Sequence, residues 1–192
     1  MKKNPAVYPN ICDISVIIVN YKSWTHLENC LKSLGGIDQN SFSFEVIIVD
    51  NNSNDKKLNA FKKKFSTYKF VSNLGNYGFS SGNNFGIRQA KGEFFMFLNP
   101  DTIVEKSAVL SIIQLAKQNL DYGIISCTTL NTKGKPEKEI RFFPKVFTFF
   151  GITRSIYQRV NKRKISEKYS KTKDVVFPDW VSGSIIFTSK KW

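Results

Sequence analysis

The 192-residue sequence predicts an α/β fold, a three-layer sandwich around a mostly parallel central sheet. Three observations carry this. Short β-branched runs such as ISVIIV (14–19) and FEVIIV (44–49) have no polar interruption, as in strands buried on both faces. Segments with apolar residues at helical spacing alternate with such runs as far as Cys127. Polar residues then crowd at the carboxyl ends of the strands, where ligands of such sheets sit.

The elements follow in order. A strand over 14–19 leads to a helix whose Trp24, Leu27, Leu31 and Leu34 share one face, with Gly35 and Gly36 as its stop. A second strand covers 44–49. Ser53 to Asp55 cap a helix through Leu58, Phe61 and Phe65. YKFVS (68–72) is a third strand, and NFGIRQA (84–90) reads as a helix ended by Lys91 and Gly92. Residues 93–98 form a fourth strand, and 107–118 repeat Val109, Ile112, Ile113 and Ala116 as an amphipathic helix. GIISC (123–127) is the expected fifth strand.

Composition bounds the answer. An apolar share of 41% and an aromatic share of 14% describe a globular chain, and 192 residues suit one domain. No apolar run reaches the roughly 18 residues of a spanning helix, and MKKNPAVYPN has no signal-peptide pattern, so a cytoplasmic location is expected. Cys12, Cys30 and Cys127 are odd in number and far apart, which favours reduced core thiols over bridges. His26, beside Leu27, reads as a surface residue. The net charge of +14 implies an anionic partner: nucleic acid, phospholipid or a phosphorylated ligand.

The strand ends hold the candidate site. Asn20 and Tyr21 follow the first strand, Asp50, Asn51 and Ser53 the second, and Asn73 to Asn76 the third. In FFMFLNPDTIV (94–104) an apolar strand meets Asn99, Pro100 and Asp101 at once, and proline holds the corner. Residues 73–86 carry Gly75, Gly78, Gly82 and Gly86, which would let backbone N–H groups approach a diphosphate ahead of a helix N-terminus. No Gly-Lys-Ser/Thr follows, so this is not a Walker loop.

Together the stretches VIIVNYKS (16–23), EVIIVDNNSND (45–55), NLGNYGFSSGNNFGIRQAKGEFFMFLNPDT (73–102) and DWVSGSIIF (179–187) resemble the family 2 glycosyltransferases, in particular a bacterial rhamnosyltransferase-like branch. The resemblance implies a GT-A fold with a Rossmann-like nucleotide-binding half over 1–130 and the start of an acceptor half over 131–192. It implies an enzyme that transfers a sugar, with inversion, from a UDP- or dTDP-linked donor to a hydroxyl of a glycan or lipid-linked acceptor. It places Asp50 on the base and ribose and Asp101 on Mg²⁺ or Mn²⁺ bridging the two phosphates. Asn99 stands where the family carries its first acid, leaving a hydrogen-bonding role toward ribose. Donor contacts are further implied for Asn20, Tyr21, Asn51, Ser53 and Asn73, and for Gly75, Gly78, Phe79, Gly82, Asn83 and Asn84. For Asn51, Ser53 and Asp55, capping and ligand contact stay open alternatives. Asn83 occupies a position where other branches carry arginine, so the diphosphate charge must be met differently.

The family's acceptor-side base lies in a GGFDE turn and acidic pair after VSG and an apolar strand, which places it beyond Trp192. The expectation is a chain truncated there, with catalysis impaired, Asp179 a poor substitute and the apolar face of VSGSIIF exposed. Trp180 fits either the acceptor side or core packing. Residues 141–173 combine five phenylalanines between Phe142 and Phe150 with eight basic residues between Arg154 and Lys173. That pattern fits contact with the inner face of a cell membrane, or equally a solvated helix beside core aromatics. The rival readings are an inactive nucleotide-sugar-binding fragment and a basic nucleic-acid-binding protein. The second is disfavoured by acidic and amidic loops and by the lack of an RNA-binding strand motif.

Overall fold

The chain is described from a computed structural model over residues 13–37, 42–136 and 175–192. Its centre is β1 (Ile14–Asn20), a strand buried along its whole length. β1 pairs in parallel with β2 (Phe44–Asp50) on one side and β4 (Phe94–Leu98) on the other. β3 (Lys69–Ser72) extends the sheet beyond β2, and β5 (Ile185–Ser189) closes it antiparallel to β4. The order β3-β2-β1-β4-β5 reverses direction between β1 and β4. Open α/β sheets bind ligands outside the strand ends at such a switch.

Side-chain alternation builds the two faces. Ile14, Val16 and Ile18 of β1, with Val46 and Ile48 of β2, enter the larger core. There they meet Trp24, Leu27 and Leu31 of α1 (Trp24–Gly35), Phe61 of α2 (Lys57–Lys64) and Val109, Ile112 and Ile113 of α4 (Lys106–Gln118). Val19, Ile47 and Val49 turn the other way, toward Phe85 of α3 (Phe79–Ile87). Three layers result, as the sequence leads one to expect.

Two elements differ from that expectation. GIISC is not a strand: Ile125 makes one antiparallel bridge to Phe187, and Ile124 is 61% exposed. The edge of β4 is taken by β5, whose Phe187 stacks on Phe94 with centroids 5.3 Å apart. Ile185 and Phe187 are buried, so the expected exposed apolar face of VSGSIIF is not found. The third helix begins at Phe79 rather than Asn84 and ends at Ile87. Its Gly82 and Gly86 lie one turn apart against the sheet, where an added Cβ would come within 2.7 Å of Val19 Cγ1 and 2.5 Å of Ile17 Cγ2. Glycine's poor helix propensity hid the start of this helix in the sequence, while close packing on β1 requires it.

Cys127 and the residues before it, together with Ser182–Trp192, form one compact unit, and Thr128–Val181 form a second. Within the second, Leu130 bridges Pro136 around a turn in which Asn131 Oδ1 accepts from Lys133 N (2.9 Å) and Lys135 N (3.1 Å). Residue 12 and all of 141–173, which carry the expectations for Cys12 and for lipid contact, lie outside the described residues.

Candidate functional site

The parallel register sets Asn20 beside Asp50 and Asp50 beside Ser72, so the ends of three strands are level. Main-chain bonds carry the ladder one step further: Asn51 N donates to Asn20 O at 2.8 Å and Asn73 N to Asp50 O at 2.9 Å. The chain then turns sharply. Lys22, Asn52 and Asn54 take left-handed φ values of 55°, 61° and 50°, which is strained backbone for residues with a Cβ. Lys22 N donates to Ser53 Oγ at 2.9 Å, tying the first loop to the second.

Asn20 and Asp50, 0% and 4% exposed, follow the period-two alternation of Ile18 and Ile48 onto the face that carries α1. Asn20 Oδ1 accepts from Ser23 N (3.2 Å) and Asp50 Oδ2 from Ser53 N (3.3 Å). Among the described residues, Asn20 Nδ2 and Asp50 Oδ1 have no partner, nor has Oδ1 of the buried Asn83 on α3. A buried polar atom without a hydrogen bond costs roughly 1–3 kcal/mol, so such atoms need an explanation. All three belong to residues that the sequence marks as site residues.

Other predicted residues are engaged within the protein. Asn51 joins Asn73, Asn76 and Gly78 through its amide. Ser53 holds Lys22, and Asp55 accepts from Trp24 Nε1 at 2.7 Å and from Lys57 N at 2.9 Å. Gly82 packs on Val19, and Gly75 would meet the Tyr77 ring at 2.7 Å if it carried a Cβ. Asn84 is exposed on the solvent side of α3. Tyr21 and Phe79, at 45% and 43%, are exposed aromatics of the donor-side loops that the sequence singles out; Tyr77, at 66%, is one it does not. His26 is exposed, as expected. Asp179 and Trp180 are exposed residues of the second unit.

After β4 the chain makes a β-turn, with Thr102 N donating to Asn99 O at 3.1 Å and Pro100 at its second position. Asn99 N and Thr102 Oγ1 both donate to Ser184 O, at 3.1 and 3.4 Å, so the entry to β5 braces the corner. The sequence gives no local sign of that partner. From α1, the Cys30 thiol points at Asn99 O (3.9 Å) and Ser33 Oγ accepts from Val104 N (3.2 Å). Burial, and then the negative charge of Asp101, push the Cys30 thiol up to about 12. Asp101 itself is exposed, and its carboxylate accepts no hydrogen bond from the described residues. Among those residues no group of three or more His, Cys, Asp and Glu side chains is placed to hold a metal. One uncommitted carboxylate nonetheless fits a hard cation that takes its other ligands from phosphate oxygens and water.

A mostly parallel five-stranded sheet with helices on both faces, switching at β1/β4, is a fold of the GT-A glycosyltransferase type. The sequence matches the family model for glycosyl transferase family 2 over residues 15–178, and the chain belongs to that family. It is similar to the low-salt glycan biosynthesis hexosyltransferase Agl10 of Haloferax volcanii, 32% identical over 69% of this chain and 44% of that protein. It is also similar to the rhamnosyltransferase WbbL of Escherichia coli, 24% identical over 90% of this chain and 65% of the relative. Staphylococcus aureus TarS residues 1–349, solved in complex with UDP-GlcNAc, superpose with a TM-score of 0.55 and 26% identity, covering 67% of this chain and 38% of that one. A mannosyltransferase of Pyrobaculum calidifontis, solved with GDP-Man and Mn²⁺, shares the fold at a TM-score of 0.52 and 20% identity, over 69% of this chain and 40% of that one. The chain thus spans less than two thirds of each of these proteins. Among the described residues, no helix is long and apolar enough to cross a membrane.

Proposed function

We propose that the β1–β4 rim binds a nucleotide-sugar donor, and that the chain belongs to an enzyme passing the sugar, with inversion, to a hydroxyl of a glycan or lipid-linked acceptor. The observation that carries this is the pair of unpartnered buried atoms at register-matched positions, the donor Asn20 Nδ2 and the acceptor Asp50 Oδ1. Uracil and thymine present an N–H beside a carbonyl oxygen, so Asp50 takes the N–H and Asn20 donates to the oxygen. Adenine and cytosine also offer an N–H beside an acceptor, with the N–H exocyclic and the acceptor in the ring. The pair of atoms therefore fits any base, and the choice of uracil rests on similarity. The similarity to a TarS structure solved with UDP-GlcNAc supports a uridine donor.

The diphosphate lies toward the first turn of α3, whose N–H groups have no acceptor within the helix and whose dipole favours anions. Asn83 and Asn99 supply neutral hydrogen-bonding groups there rather than charge. Asp101 would hold Mg²⁺ or Mn²⁺, which when bound neutralises charge on the departing diphosphate. The chain's own residues then bind the base, orient the sugar and leave its far side open to the acceptor. Direct displacement with inversion needs a base at the acceptor hydroxyl, and the rim accounts for the donor side of that reaction.

Calorimetry against UDP, dTDP, GDP, ADP and CDP, with and without Mn²⁺, tests the reading. Guanine shares the uracil pattern and serves as a control for size. UDP and dTDP should bind at least about tenfold tighter than ADP and CDP. Asp50→Ala should cost on the order of 1–3 kcal/mol of UDP affinity. Indifference to the base, or a lower melting point with UDP affinity intact, would sink it.

A further inference from the structure

We propose that Asn51 and Asn76 are positioning residues that latch the amino-terminal turn of α3, and with it the edge of the site that meets the diphosphate. The second half of that statement rests on the donor reading above. Asn51 directly follows β2 and is 2% exposed. Both ends of its amide are engaged: Oδ1 accepts from Asn73 Nδ2 at 3.1 Å, and Nδ2 donates to Asn76 Oδ1 at 2.7 Å and Gly78 O at 3.3 Å. Asn76 Oδ1 accepts a second bond from Gly78 N at 3.2 Å. One side chain therefore links the loops after β2 and β3 to the residue that caps α3.

Packing does not hold residues 74–78, which lead into the helix. Leu74 is 93% and Tyr77 66% exposed. Gly78 has φ 87°, and a Cβ there would meet nothing within 4 Å. Gly78 adopts this conformation freely, and the amides are what select it. Asn51 thus acts on the ligand through Gly78 instead of touching it.

Asn51→Asp keeps the shape and the acceptor for Asn73. It sets an acceptor against Asn76 Oδ1 and Gly78 O. Turning the Asn76 amide would repair one bond and lose that to Gly78 N. Asn76→Ala removes the outer half of the latch from an exposed position, where folding is safe.

The experiment uses the 192-residue chain. Hydrogen exchange is read at the Gly78 amide without nucleotide, and binding of uridine and UDP is measured by NMR titration and calorimetry. Each variant should speed Gly78 exchange by about tenfold or more. UDP should weaken by about tenfold and uridine by less than twofold, and the double variant should be no worse than Asn51→Asp, as for one coupled unit. Equal losses for uridine and UDP, additive losses, or unchanged exchange would each overturn the latch. If the wild type bound no nucleotide, the donor reading would fall, and exchange at Gly78 would still decide the latch.

Discussion

Asp101 sits at the third position of a turn whose backbone is fixed from three sides: by Pro100, by Ser184 O and by Cys30 and Ser33 of α1. Its carboxylate is left uncommitted, which is the state a cation ligand needs. Asp101→Ala should abolish any Mn²⁺ enhancement of UDP binding and leave metal-free affinity within about twofold, since on the proposed reading Asp101 is the carboxylate among the described residues that would hold the ion. Equal metal enhancement in the variant, by calorimetry, would take Asp101 out of the site. Asn20 and Asp50 stand out in the sequence because each follows directly on an apolar run, and Asp101 because it closes the Asn-Pro-Asp corner after one. The engagement of Asn51 is not legible there, because its partners Asn76 and Gly78 lie 25 and 27 residues away and nothing local shows that its amide is spent.

At the scale of elements, α3 is the helix whose start the sequence conceals, and its glycines explain why. Gly86→Ala places a methyl group 2.5 Å from Ile17 Cγ2 and 3.2 Å from Val49 Cγ2. Overpacking of this kind costs about 1–3 kcal/mol, well above alanine's gain in helix propensity. Urea unfolding should show a loss of that size, and a stabilised variant would mean that α3 sits further from the sheet. α1 and α2 are joined by Glu28, whose carboxylate meets Lys32 Nζ at 2.7 Å and Lys64 Nζ at 2.8 Å. Hydrogen bonds from the two lysines lower its pKa from 4.5 to about 2. A depressed carboxyl stabilises the fold above its unfolded value near 4.5 and loses that contribution as pH falls toward about 2. Glu28→Gln should therefore flatten the fall in melting temperature between those two pH values, as should added salt. An acid limb identical to wild type would show that the two lysines hold Glu28 only loosely.

At the scale of the whole molecule, β5 joins the far end of the chain to its centre. Phe187 is 1% exposed, stacked on Phe94 and bridged through its backbone to Ile125. Phe187→Ala should cost about 3–5 kcal/mol in one cooperative transition. A loss below about 1 kcal/mol would mean that β5 frays independently of the sheet.

The sequence by itself determined the alternation of strands and helices, the parallel core of β1, β2 and β4, the face of each amphipathic helix and the polar rim at the strand ends. Those properties are written in local periodicity, because burial on one or two faces repeats every two or 3.6 residues. Only the tertiary structure decided that Ile185–Ser189 and not GIISC completes the sheet, that Gly82 and Gly86 seat a helix on β1, and which amides on the rim are spent. These outcomes depend on competition for a strand edge, on distances between elements and on hydrogen bonds spanning many residues. None of the three leaves a periodic trace in the chain.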